Sequence, residues 1–115
     1  MNIRDLKHIF FIGIGGIGMS ALARYFNKKG VQVSGYDKTS TVLTKKLESE
    51  GINIHYEDNV LLIPENVELA VYTPAVPSTH KQLKKLIRME GVTVLKRSQV
   101  LGLISENLDA IAVAG

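Results

Sequence analysis

The stretch from His8 to Ala23, HIFFIGIGGIGMSALA, decides the fold of this chain. It opens with the continuous apolar run Ile9–Ile12, which is typical of a strand buried on both faces of a parallel sheet. Gly13, Gly15 and Gly18 then have the spacing G-x-G-x-x-G, and a helical pattern follows them. A strand, a glycine turn and a helix in this order indicate a phosphate-binding turn, because the helix amides and the positive end of the helix dipole face an anion.

Two other interpretations of this stretch stay open from the motif alone. One is a glycine-rich turn that binds nothing. The other is a signal peptide, with Arg4 and Lys7 as its charged region and Ala21–Ala23 as its cleavage site. Four glycines within the supposed apolar core weaken helix formation and therefore argue against the signal peptide. We expect the stretch to form a central strand and its turn.

Composition excludes several classes of function. The chain has 115 residues, of which 45% are hydrophobic and 22% charged, and this is typical of one globular domain with its own core. No apolar run has the length of a membrane span, so we expect no membrane association. Cysteine is absent, which excludes a disulfide and a thiolate metal site. We expect a cytoplasmic location because no signal sequence is recognised. The net charge of +3 is too small to indicate nucleic-acid binding, although it is compatible with an anionic ligand.

The rest of the chain alternates strands with helices. Ser40 or Thr41 is predicted to cap the second helix, and Ser78 or Thr79 the third. The alternation predicts an α/β fold, a Rossmann-like parallel sheet of about five strands with helices on both faces. The predicted strands are 8–12, 31–37, 52–55, 67–72 and 92–95, and the predicted helices are 17–29, 41–50, 79–90 and 98–106.

Ligands of such sheets bind at the carboxyl ends of the strands, where loops 13–18, 37–40 and 73–76 are expected to meet. Asp37 follows the second strand, about 20 residues after the glycine motif, where these folds place an acid that bonds a ribose hydroxyl. A helix cap or a turn residue is the alternative interpretation of Asp37.

No catalytic constellation and no metal site is predicted. The three histidines, His8, His55 and His80, are scattered along the sequence, and no Asp or Glu stands at metal-ligand spacing from them. We therefore interpret each histidine as a residue of a strand, a loop or a helix start.

Five segments, in this order and spacing, resemble the amino-terminal domain of the Mur ligase family: GIGGIGMSALA, VSGYD, TPAVP, LKRSQVLG and AIAVAG. Within the family the resemblance is greatest to the branch that adds L-alanine to UDP-N-acetylmuramate. The pattern of residues 109–115 predicts a further buried strand. The resemblance implies that residues 1–107 form a UDP-sugar-binding domain and that residues 108–115, with this strand, begin a central ATP-binding domain. The residues that it places around the UDP are Gly13, Gly15, Gly16, Ile17, Gly18, Met19, Asp37, Lys38, Thr73, Pro74, Ala75 and Val76.

The resemblance also implies a reaction in peptidoglycan biosynthesis. Such ligases use ATP and magnesium to convert the muramoyl carboxylate into an acyl phosphate, which the amino group of L-alanine attacks. Their ATP turn contains Gly-Lys-Thr and follows a segment like AIAVAG, so we expect this chain to bind neither ATP nor magnesium and to be inactive alone. Two alternatives stay open: an NAD-binding or nucleotide-sensing module that uses the same glycine turn, and a related ligase that attaches a whole tripeptide to the same sugar nucleotide.

Overall fold

A five-stranded, all-parallel sheet forms the centre of the molecule, with the strand order β3-β2-β1-β4-β5. The computed structural model describes the backbone of residues 2–114 and the side chains of residues 2–106. Its strands and helices are β1 His8–Ile12, α1 Ile17–Lys28, β2 Gln32–Tyr36, α2 Val42–Ser49, β3 Asn53–His55, β4 Leu69–Tyr72, α3 Lys81–Arg88, β5 Thr93–Lys96 and α4 Arg97–Ala114. The α/β class and the parallel sheet of five strands are as predicted.

The central strand β1 is buried along its whole length, because helices cover both faces of the sheet. Ile9 and Phe11 pack on one side with the apolar residues of α1 and α2, and Val100 of α4 joins them. Phe10 and Ile12 pack on the other side with Leu83 and Leu86 of α3. Alternate residues of one strand therefore enter two separate cores, which explains the uninterrupted apolar run in the sequence.

The glycine turn is tied to the end of β2. Gly13 has a φ of +86°, which only glycine adopts without strain, and this conformation turns the chain out of β1. The amides of Gly13 and Ile14 both donate to the carbonyl oxygen of Tyr36, at 2.8 and 3.0 Å. The fully buried Ile14 side chain then holds the turn against the sheet.

The predicted strand at 109–115 is wrong for residues 109–114, which continue α4; Gly115 lies outside the described residues. The same helix begins at Arg97 and runs past Glu106, where it was expected to end. A short apolar run such as AIAVA fits a buried strand or a helix equally well by periodicity. Alanine is the strongest helix former, and this preference favours the helix.

Helix α3 is capped differently from the prediction, whereas the capping of α2 is confirmed. Thr41 and Thr44 form the reciprocal capping box of α2. For α3 the N-cap is His80, not Ser78 or Thr79. The carboxylate of Asp58, from the loop after β3, accepts hydrogen bonds from the first two amides of α3, both at 2.9 Å. Because this distant side chain satisfies the helix end, no serine or threonine cap is needed.

None of the helices in the part of the chain that the structure describes combines the length and the apolar character needed to span a bilayer.

Candidate functional site

A cleft of about 570 Å³ lies at the carboxyl ends of the central strands, and its volume is typical of a small-ligand site. The glycine turn, the loop after β2, the loop after β4 and the start of α4 meet there, so the predicted convergence of three loops is found. The residues that line the cleft are Ile12, Gly13, Gly16, Gly18, Met19, Tyr36, Asp37, Lys38, Thr73, Ala75, Val76, Pro77, His80 and Arg97.

Most of the predicted site residues line this cleft, but Gly15, Ile17 and Pro74 do not. The amide of Gly15 is turned towards Asp37. The side chain of Ile17 is 87% exposed, because it projects outward from the first turn of α1. Pro74 is exposed at the tip of its loop. Of these three, Ile17 still contributes its backbone amide to the helix end that faces the cleft.

The amino end of α1 is uncapped. Its N-cap residue is Gly16, which has no side chain to accept a hydrogen bond, and its first turn contains no acidic residue. Within the described residues, the amides of Ile17, Gly18 and Met19 donate no hydrogen bond. By contrast, α2 and α3 have side-chain caps. Free amides and a positive helix end at the wall of a cleft are suited to bind an anion such as phosphate.

Asp37 accepts two hydrogen bonds within the protein, which fits the alternative interpretation as a turn residue and leaves its predicted contact with a ribose hydroxyl a prediction. Its Oδ2 accepts a hydrogen bond from the amide of Gly15 at 2.7 Å, and its Oδ1 accepts one from the amide of Thr39 at 3.1 Å. A methyl group at Gly15 would come within 2.7 Å of Oδ2, so the close approach requires glycine. Asp37 thus joins the glycine turn to the loop after β2. A carboxylate has about four acceptor positions, so two remain for a ligand hydroxyl.

Tyr36 and His80 are cleft residues that the sequence analysis did not assign to the site. Their rings meet edge to face, with centroids 4.8 Å apart. The Nδ1 of His80 lies 3.4 Å from Oδ1 of Asp58, and its buried Nε2 has no hydrogen-bond partner among the described residues. Burial lowers the pKa of His80, so the ring is neutral at pH 7. As predicted, His80 stands at a helix start, but it also lines the cleft.

Arg97, the first residue of α4, also lines the cleft and was not predicted as a site residue. Its guanidinium lies against the first turn of α1, where a methyl group at Gly18 would come within 2.6 Å of both Cζ and Nε. Gly18, the last glycine of the motif, therefore leaves room for a cation. No local pattern could have revealed this contact, since the two residues are far apart in sequence and only the folded sheet brings them together.

No metal centre accompanies the cleft in residues 2–106, where no cluster of three or more His, Cys, Asp or Glu side chains is placed to hold an ion. The glycine turn also contains no lysine. The cleft combines backbone amides, the cations Lys38 and Arg97, and the single carboxylate Asp37. It is therefore suited to bind an anionic ligand that also carries hydroxyl groups.

Comparison with known proteins agrees with this arrangement. A family model described as "Mur ligase family, catalytic domain" matches residues 8–108. The chain is 48% identical, over 99% of its length, to a UDP-N-acetylmuramate–L-alanine ligase of Christiangramia forsetii, and it spans 26% of that relative. It is 50% identical over its full length to the enzyme of the same name from Flavobacterium johnsoniae, again over 26% of the relative. The chain thus spans about a quarter of the length of the curated relatives it matches.

A solved structure shares the fold as well as the sequence. The crystal structure of UDP-N-acetylmuramate-alanine ligase from Thermotoga maritima superposes with a TM-score of 0.75 at 32% identity, covering 90% of this chain and 23% of that one. The family match extends over most of the sequence and includes the glycine turn, the loops of the cleft and Arg97. On this evidence the chain belongs to the Mur ligase family.

Proposed function

We propose that the cleft binds the UDP part of UDP-N-acetylmuramate. The diphosphate would lie on the uncapped first turn of α1, and the nucleoside would lie between Asp37–Lys38 and Thr73–Val76. One observation carries this proposal. Among α1, α2 and α3 of the described structure, only α1 has an uncapped amino end, and in this Mur ligase chain that end opens into a cleft of nucleotide size. A diphosphate is the part of the substrate that matches several free amides and a helix dipole.

For the whole protein we propose the activity named for the relatives, the ATP-dependent joining of L-alanine to UDP-N-acetylmuramate. The γ-phosphoryl group of ATP would pass to the muramoyl carboxylate, giving ADP and an acyl phosphate. The amino group of L-alanine would then attack the acyl carbon and release phosphate as the amide forms. Residues 1–107 would be the UDP-sugar-binding domain and residues 108–115 would lead into an ATP-binding domain. A reaction that consumes a UDP-sugar and ATP is consistent with the cytoplasm as its location.

ATP with magnesium does not fit the described residues. The glycine turn lacks the lysine of an ATP-binding loop, and residues 2–106 provide no cluster of metal ligands. We therefore assign phosphoryl transfer and alanine binding to other parts of the protein, and to this chain only the binding and orientation of the sugar nucleotide.

A ligase that attaches a tripeptide is the second candidate. A structure titled UDP-N-acetylmuramate:L-alanyl-gamma-D-glutamyl-meso-diaminopimelate ligase, from Neisseria meningitides, superposes with a TM-score of 0.74 at 26% identity, covering 84% of this chain and 30% of that one. Both enzyme names include UDP-N-acetylmuramate, so a cleft that binds this sugar nucleotide suits either activity. The higher identity to the L-alanine ligases favours alanine. Phosphate release by the full-length protein, measured with L-alanine and with the tripeptide, distinguishes the two.

The binding proposal can be tested on this chain by NMR with UDP and with NAD. We expect UDP to shift the amides of Gly13–Met19 while the amide of Gly102 stays unchanged. Binding of UDP alone will be weak, because the sugar and its contacts are absent. If millimolar UDP leaves the turn amides unperturbed, the proposal is wrong; if NAD shifts them more strongly than UDP, the dinucleotide-binding alternative replaces it.

A matched pair of variants probes the helix end itself. Ile17 is exposed, so Ile17→Glu and Ile17→Gln should both fold. Glutamine has the shape of glutamate without its charge, which makes the second variant the control. The carboxylate in the first turn should raise the free energy of unfolding by about 0.3–1 kcal/mol, since it complements the helix dipole. It should weaken UDP binding, since it repels the diphosphate. Equal UDP affinity of the two variants, measured at low salt, would place the phosphates elsewhere.

A further inference from the structure

Arg97 is placed where a cation is unfavourable in the absence of a ligand. Its guanidinium lies against the first turn of α1, at the positive end of the helix dipole. Within residues 2–106 it forms no ion pair, and its buried Nε has no hydrogen-bond acceptor. A buried donor without a partner is destabilising, and more so when the group is charged. An anion in the cleft would remove both penalties.

The geometry of the cleft provides the position for such an anion. Arg97 lines the cleft together with Gly16, Gly18 and Met19, which belong to the uncapped helix end. The planar guanidinium presents its donors as a fork that matches phosphate oxygens in pairs. A phosphate between the helix amides and this fork would receive hydrogen bonds from both.

We propose that Arg97 binds the diphosphate of the nucleotide and neutralises part of its charge. Gly18 is then glycine because the guanidinium needs the space that a side chain would fill. This inference rests on the proposed binding of UDP and adds the side chain that completes the phosphate site. It also joins the nucleotide to α4, whose first residue is Arg97.

The test compares the affinities of Arg97→Gln, Arg97→Lys and a control, Arg88→Gln, for UDP and for uridine. Arg88 is an exposed arginine of α3 that does not line the cleft. Affinities are measured by NMR titration of the turn amides, and thermal melts check that each variant folds. We expect Arg97→Gln to weaken UDP binding about tenfold or more, since the lost hydrogen bonds are made to a charged group. Uridine binding should stay unchanged, because uridine has no phosphate.

Arg97→Lys should give an intermediate loss, because it keeps the charge without the fork. If Arg97→Gln fails to fold, the UDP affinity of Arg97→Lys tests the proposal instead. Wild-type affinity for UDP in the variant that folds would overturn the role of Arg97 and leave the proposed function in place. An equal loss for UDP and uridine would also overturn it, since the effect would then be on the shape of the cleft. Failure of the unmodified chain to bind UDP would instead refute the proposed function.

Discussion

Gly35→Ala should destabilise the fold at the junction between the sheet and the glycine turn. Gly35 lies in β2, with Phe11 of β1 and Ile54 of β3 as its strand partners. A methyl group there would lie 2.6 Å from Cδ1 of Ile14, 2.9 Å from its Cβ and 2.9 Å from the carbonyl oxygen of Phe11. These distances are well inside van der Waals contact, so some of these atoms must move.

The magnitude follows from which atoms can move. Phe11 and Ile14 are both fully buried, and the Phe11 carbonyl belongs to the central strand. Since the strand cannot yield, the overpacking should lower the free energy of unfolding by about 1–3 kcal/mol. For a domain of this size each kcal/mol lowers the melting temperature by about 4 °C. Ile14 is also part of the glycine turn, so a displaced Ile14 should weaken the response of the turn amides to UDP.

The control is Gly102→Ala. Gly102 lies in α4 with nothing within 4 Å of the added carbon, and alanine is the better helix former. The control should melt at or above the temperature of the unmodified chain, by circular dichroism at 222 nm. If Gly35→Ala melts as high as Gly102→Ala, the crowding inferred at β2 is absent and the reasoning is refuted.

Two further predictions concern the helices and the histidines. Thr41→Ala removes the capping box of α2 and should lower the free energy of unfolding, measured by urea denaturation, by about 1 kcal/mol. Thr39→Ala, at an exposed loop position, should leave it unchanged, and equal losses for the two variants would contradict the cap. Burial in the folded chain lowers the pKa of His8, His55 and His80 below the ordinary value, so the unfolded chain binds protons more readily than the folded chain does. The free energy of unfolding should have its full value above about pH 6.5 and should fall as the pH drops towards 5. A free energy of unfolding that stays constant or rises over that interval would contradict this burial.

The parts of the fold that depend on local pattern could be predicted, and the parts that depend on distant contacts could not. The strand His8–Ile12 and the helix start at Ile17 were predicted correctly, because apolar runs and glycine spacing are local signals. The cap of α3 was missed, because Asp58 reaches it from another loop. The helical state of 109–114 was missed, because an alanine-rich run suits both structures.

The same division applies to the site. The sequence places Gly13, Asp37 and Thr73 at strand ends, and any parallel sheet brings such ends to one edge, so the cleft could be predicted. The strand order is not written in the local pattern. Without knowing that β4 lies beside β1 and that β5 lies beside β4, one cannot place Arg97 next to Gly18. The direction of the Asp37 carboxylate likewise depends on the conformation of the turn, which no residue pattern specifies.

The carbonyl oxygen of Tyr36 accepts hydrogen bonds from the amides of both Gly13 and Ile14, and this pair of bonds matters for the design of inhibitors. This double hydrogen bond links the turn proposed to hold the diphosphate to the strand end beside the proposed nucleoside position, so displacing either one strains these hydrogen bonds. A compound that occupies one half of the cleft should therefore find the second half already aligned. Fragments bound separately in the two halves should be linkable with little loss of fit.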